Sequence, residues 1–171
     1  MKKYIAGIMI ALLAISTSTT ADAAETKNPY GASTVDPAGP NEVIFVVSKG
    51  TKKFSYTPTS LNKLKSKVIS IYEPFVKKRQ KFTVIPFKTF LDSVGISGND
   101  KVATKALNDY VYTNTASQFI AAKAYIAIMR NGVDIPYDQG GPLRLVFADD
   151  SKWAKNLDAW NWSLASISTS K

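Results

Sequence analysis

The chain has 171 residues, 45% hydrophobic and 20% charged, a balance of folded globular proteins and too apolar for a disordered one. Neither cysteine nor histidine occurs, which removes disulfides, thiolate metal sites, thiol nucleophiles and imidazole bases before any motif is read. A net charge of +9 directs expectation toward anionic ligands, envelope polymers or lipid surfaces. No nucleic-acid-binding motif accompanies that charge, and no run of carboxylates has the spacing of a calcium or magnesium loop.

Residues 1–23 read as an export signal. Lys2 and Lys3 give a positive start, residues 4–15 are apolar apart from Gly7, and residues 16–20 are small and polar. Ala21-Asp22-Ala23 then offers the small-x-small pattern cut by signal peptidase. As a helix the 12 apolar residues reach about 18 Å, short of the roughly 30 Å bilayer core, so cleavage is expected rather than a lasting anchor. The mature chain of 148 residues, near +8 in charge, is then secreted or periplasmic, with no stable membrane insertion.

Residues 24–41 are rich in Pro, Gly, Ser, Thr and Asn and form either a flexible tether or a strap over the domain. One domain follows over 42–171. The run EVIFVVS at 42–48 predicts a strand buried on both faces, and KFSYT at 53–57 a partner strand after a turn. A short helix follows Pro58, with Ser60 as N-cap and Leu61 and Leu64 inward. Strands are predicted at 68–72 and 81–85, with a loop over 73–80 between them. Pro86 opens a helix in which Phe87, Phe90, Leu91 and Val94 recur at i, i+3, i+4 and i+7, and Gly95 ends it.

Residues 102–107 and 110–112 predict two strands joined at Asn108-Asp109, and 115–119 a turn of helix. A strand over 122–129 meets Asn131-Gly132, a two-residue hairpin signal leading into 133–135. Residues 139–142 form a tight loop before a strand at 143–147. Asp149-Asp150-Ser151 is read as the cap of a short helix carrying Trp153 and Leu157, not as a metal site, and 160–164 as the last strand. There is no internal repeat. The fold class is α+β, a mixed and strongly curved sheet or barrel with short helices.

Four stretches, in this order, resemble the pterin-binding domain of the sulfite-oxidase family of molybdopterin oxidoreductases. They are the strand-to-helix entry FTVIPFKTFL at 82–91 and ALNDY at 106–110, like the family's A-x-D-G-Y turn without its glycine. AYIAIMRNG at 124–132 follows, and then GGPLRLV at 140–146, the most specific, with Lys152-Trp153 after it. Enzymes of that family hold molybdenum through a cysteine thiolate, which this chain lacks, and neither Ser nor Asp reproduces a soft sulfur ligand. The resemblance therefore implies a small exported member that binds a pterin-like molecule without molybdenum and without covalent attachment. It implies no catalytic or metal-ligating residue, and a role as ligand receptor for a membrane signalling partner of the kind that handles cyclic-di-GMP. The alternatives are a molybdopterin-dependent oxidoreductase with atypical metal ligation and an envelope interaction module without ligand.

A flat pterin needs an acceptor for its amine edge, a donor for its carbonyl and an aromatic face to stack on. Within or near the matched stretches, Asp109 or Asp138 supplies the acceptor, Arg144 the donor, and Tyr110, Tyr137 or Trp160 the face. Asn108 shares the turn with Asp109, and the backbone at Gly140 and Gly141 allows close approach. Glu73 is a weaker acceptor candidate. Each residue also has a plainer role: turn, core aromatic, or an arginine paired with a carboxylate. The basic run Lys77, Lys78, Arg79, Gln80, Lys81 reads as a solvated hairpin loop, or else as an attractor for an anionic surface.

Overall fold

A computed structural model describes residues 32–170; the expected signal at 1–23 and the first part of the segment 24–41 lie outside them. Strand β1 (Phe45–Lys49) buries Phe45 and Val47 while Val46 and Ser48 are half-buried, so the run predicted to be buried on both faces has one core face. It pairs antiparallel with β2 (Lys52–Tyr56) and parallel with the last strand, β11 (Leu164–Ser170). β11 continues the sheet to β5 (Lys101–Ala106) and β6 (Val111–Thr115), in the order β2-β1-β11-β5-β6. β11 escaped the sequence reading because residues 165–170 are small and polar apart from Ile167, whose side chain is the buried one.

The second sheet runs β10-β9-β7-β4-β3, with β8 (Val133–Asp134) hung on β7 beyond the Asn131-Gly132 turn. Its strands are β3 (Lys67–Glu73), β4 (Lys78–Pro86), β7 (Ala124–Arg130), β9 (Arg144–Phe147) and β10 (Asn161–Trp162). Half of the predicted loop 73–80 is strand: β4 begins at Lys78 in register with Glu73, and a four-residue turn remains. The predicted last strand is divided by Ser163. At a φ of 53° it turns the chain out of β10 and into β11, from one sheet to the other.

The barrel expected as one form of the curved sheet does not close. Among the described residues no backbone ladder joins β3 to β10. Side chains span the seam instead: Glu73 of β3 pairs with Arg144 of β9 at 3.1 Å, and Asp149, just after β9, accepts the Tyr72 amide of β3 at 2.7 Å. Phe75 closes the end of the seam with its ring 4.7 Å from that of Trp162.

Three short helices fill the space beside the sheets. α1 (Pro58–Leu61) is capped by Thr57, with Ser60 at the reciprocal position of a capping box rather than at the N-cap itself. α2 (Phe87–Ser93) buries Phe87, Phe90 and Leu91 as its periodicity predicts, and α3 (Ala116–Ala121), capped by Thr115, buries Phe119. The helix expected after Asp149 is a run of turns followed by a 3-10 turn at Leu157–Ala159. Trp153 nevertheless reaches the core, its ring 5.4 Å from Phe119 and 5.7 Å from Phe147. Among the described residues no helix is long and apolar enough to cross a membrane.

Candidate functional site

The GGPLRLV stretch folds into a corner where β9 begins. Gly141 has no room for a side chain, because a Cβ there would lie 1.8 Å from the Ile135 carbonyl oxygen; its bond to Pro142 is cis. Gly140 has a φ of 79° and faces Trp162 and Arg144, with a Cβ reaching 2.7 Å from the indole. The corner wraps its backbone around Arg144. Nε donates to the Gly140 carbonyl at 3.2 Å, Nη2 donates to the Gln139 carbonyl, and Nη1 reaches Glu73.

Both members of the Glu73–Arg144 pair are 0% exposed, and the guanidinium lies 4.0 Å from the centre of the Trp162 ring. Arg130 joins the cluster by donating to the Gln139 side chain. Burial pushes the Glu73 carboxyl up, with Arg144 pulling it back. Burial likewise brings Arg144 down to about 10 against the opposing pull of Glu73, and Arg130 down to about 10 with Arg144 adding to the effect. Two guanidiniums and one carboxylate enclosed together favour keeping that carboxylate charged, and the cluster stitches the seam of the second sheet.

Tyr137 and Asp138, on the turn before this corner, hold the N-terminal segment as a strap. Asp138 accepts from the Ser33 hydroxyl and the Thr34 amide, both at 2.8 Å, and from the Thr34 hydroxyl at 3.1 Å. The Thr34 amide bond in particular keeps its carboxyl below the usual range. The Tyr137 hydroxyl donates to Glu42 at 2.8 Å; burial first, and that carboxylate second, push it up to about 12. Asp109 faces solvent, 83% exposed, and pairs with Lys105 at 2.7 Å.

The nine candidates therefore do not line one cavity. Three of them meet. Asn108, Tyr110 and Trp160 border an open groove of about 380 Å³ together with Phe75, Trp162 and Asp158. Tyr110 is fixed there by its hydroxyl, which donates to the Asp158 carbonyl at 2.8 Å, and Trp160 by its indole N–H on the Trp153 carbonyl at 3.3 Å. Phe75 and Trp162, which sequence reasoning missed, form its most accessible aromatic edge with Tyr110. Trp162 was legible as the alternate residue of the last predicted strand; Phe75 was hidden in what read as loop.

The family model described as the oxidoreductase molybdopterin binding domain matches residues 61–163. The chain belongs to that family. Among solved structures, the sulfane dehydrogenase SoxCD from Paracoccus pantotrophus is similar, with a TM-score of 0.58, 11% identity, and coverage of 81% of this chain. This chain spans 41% of that one, so the likeness is one of fold. No curated protein matches.

The family's cofactor was tested against this chain's own donors. The sequence offers no thiolate, and no group of three or more His, Cys, Asp or Glu among the described residues could hold a metal ion. Molybdenum does not fit. Nor does a phosphorylated pterin tail suit the groove, since its lining includes no Lys or Arg among the described residues. The groove does match a bare flat ring: aromatic edges at Phe75 and Trp162, an amide at Asn108 and a carboxylate at Asp158.

Proposed function

We propose that this member of the oxidoreductase molybdopterin binding domain family is a non-catalytic exported binding protein for an unphosphorylated, pterin-like heterocycle, taken without molybdenum. The observation that carries the reading is the aromatic groove, where Phe75, Tyr110, Trp160 and Trp162 meet Asn108 and Asp158 in a chain that has no cysteine. The ring stacks on Phe75 and Trp162, and its amine edge donates to Asp158 or to the Asn108 carbonyl. The buried Arg144 acts from behind, placing positive charge against the Trp162 ring. Reporting the bound ligand to a membrane signalling partner is the role this reading assigns to an exported chain.

Thermal unfolding with pterin and with its tetrahydro form tests the reading. A ligand at a hundred times its dissociation constant adds about 2.7 kcal/mol. The shift is expected in the parent protein and absent in Phe75→Ala, which removes a stacking edge and leaves the buried cluster intact. If neither pterin moves the transition, the receptor reading fails and an interaction module without ligand stands. Elemental analysis that found molybdenum in purified protein would instead favour the oxidoreductase alternative. Export is tested by the mass of the mature chain, expected to begin at Ala24.

A further inference from the structure

The outer face of the β3–β4 hairpin carries cations that the molecule does not use. Some exposed lysines are matched by acids: Lys88 with Asp92, Lys105 with Asp109 and Lys123 with Asp150. Among the described residues no carboxylate pairs with Lys77, Lys78 or Lys81, although they follow one another closely in the chain. Lys78 and Lys81 flank an open trough of about 900 Å³, bordered also by Val68, Ser70, Arg79 and Thr83. No acid borders it, and Val68, 66% exposed, gives it an apolar patch.

We propose that this trough docks an extended acidic segment of a partner protein. Register supports an extended chain as the occupant. Arg79 and Lys81 sit opposite Tyr72 and Ser70 and two residues apart on one face of β4, hence about 6.7 Å apart along the strand. Alternate side chains of an extended peptide have the same spacing and share one side, so an acid facing Lys81 puts the residue two positions on beside Thr83 and Val68, where an apolar side chain fits. Asp149 already shows what a carboxylate does at this edge: one oxygen pairs with Arg79 at 2.7 Å and the other accepts the Tyr72 amide at 2.7 Å. A flat bilayer reaches only the rims of a trough, which favours a chain over a membrane. The inference goes beyond the pterin reading and does not depend on it.

The test is fluorescence anisotropy with a labelled decapeptide of alternating Val and Glu, a Val-Lys decapeptide as control, and sedimentation with phosphatidylglycerol vesicles. The Val-Glu peptide is expected to bind, to weaken as salt rises, and to lose about tenfold or more in affinity in Lys78→Glu/Lys81→Glu. Lys53→Glu, an exposed change on the other sheet, is expected to leave affinity unaltered, and unchanged melting of both variants shows that they fold. Equal loss in Lys53→Glu, no loss in the double variant, or no peptide binding at low salt overturns the proposal. Binding to vesicles alone overturns it in favour of a membrane surface. Since pterin-induced melting shifts are read separately, failure of one reading leaves the other standing.

Discussion

The Gly140–Arg144 corner and the aromatic groove share one indole, that of Trp162, yet they spend their chemistry differently. In the corner, the tight glycines and buried arginine are consumed by the fold: Arg144 is enclosed by Glu73 and by the carbonyls of Gln139 and Gly140. In the groove, the rings of Phe75 and Tyr110 stay partly open to solvent, with Phe75 edge-on against Trp162 and the Tyr110 hydroxyl on the Asp158 carbonyl. The GGPLRLV stretch thus marks where the fold is held, and the open aromatic groove lies beside it.

Substitutions break or sharpen this contrast. The largest effect belongs to Gly141→Ala, whose Cβ would overlap the Ile135 carbonyl; a loss above about 4 kcal/mol, or no soluble folded protein, is expected on denaturant titration. Arg144→Ala follows, since it strands the buried Glu73 carboxylate, at about 3–5 kcal/mol in the same titration. Combining Glu73→Leu with Arg144→Met removes both charges, so the double variant is expected to be more stable than Arg144→Ala. A double variant as unstable as the single would show that the corner depends on its geometry and not on the pair. Phe75→Ala is expected to cost only about 1 kcal/mol for its lost edge-on contact with Trp162, and on the proposed reading its larger effect is on the pterin-induced shift.

The smallest effect is on the strap. The Asp138 carboxyl titrates below its unfolded value, so its contribution is complete above the ordinary carboxylate range and is lost as pH falls through the lowered folded value. Hydrogen exchange at the Thr34 amide is expected to be protected at neutral pH and to lose protection, beyond the intrinsic pH dependence, as pH falls below the ordinary carboxylate range. Asp138→Asn is expected to remove most of that protection at neutral pH.

Much of the fold was legible from periodicity: α2 from Phe87, Phe90, Leu91 and Val94, and the β7–β8 turn from Asn131-Gly132. What escaped has physical causes. β11 earns its place by backbone pairing between β1 and β5, which a serine-rich run satisfies without an apolar alternation. β4 begins among Lys78 and Arg79 because the exposed end of the β3–β4 hairpin leaves those charged side chains in solvent while the backbone pairs. Of the site, Asn108, Tyr110 and Trp160 came together as neighbours of one groove. Asp109 turned to Lys105 four residues before it, while Tyr137 and Asp138 were taken by Glu42 and Thr34 of the distant strap, which no local pattern reveals. The meeting of Phe75 with Trp162 joins residues 87 positions apart, beyond any local pattern.

The unclosed seam has a kinetic consequence. In an antiparallel strand alternate amides face the same neighbour, so those of Val68, Ser70 and Tyr72 look across the gap, and Tyr72 finds Asp149 there. Those of Ile69, Ile71 and Glu73 look toward β4. Parting the hairpin from β9 therefore severs two ion pairs, a carboxylate-amide bond and a ring contact but no backbone ladder. That makes it a low-energy opening, through which the interior of the sheet and the groove beside it become accessible while the other sheet stays paired.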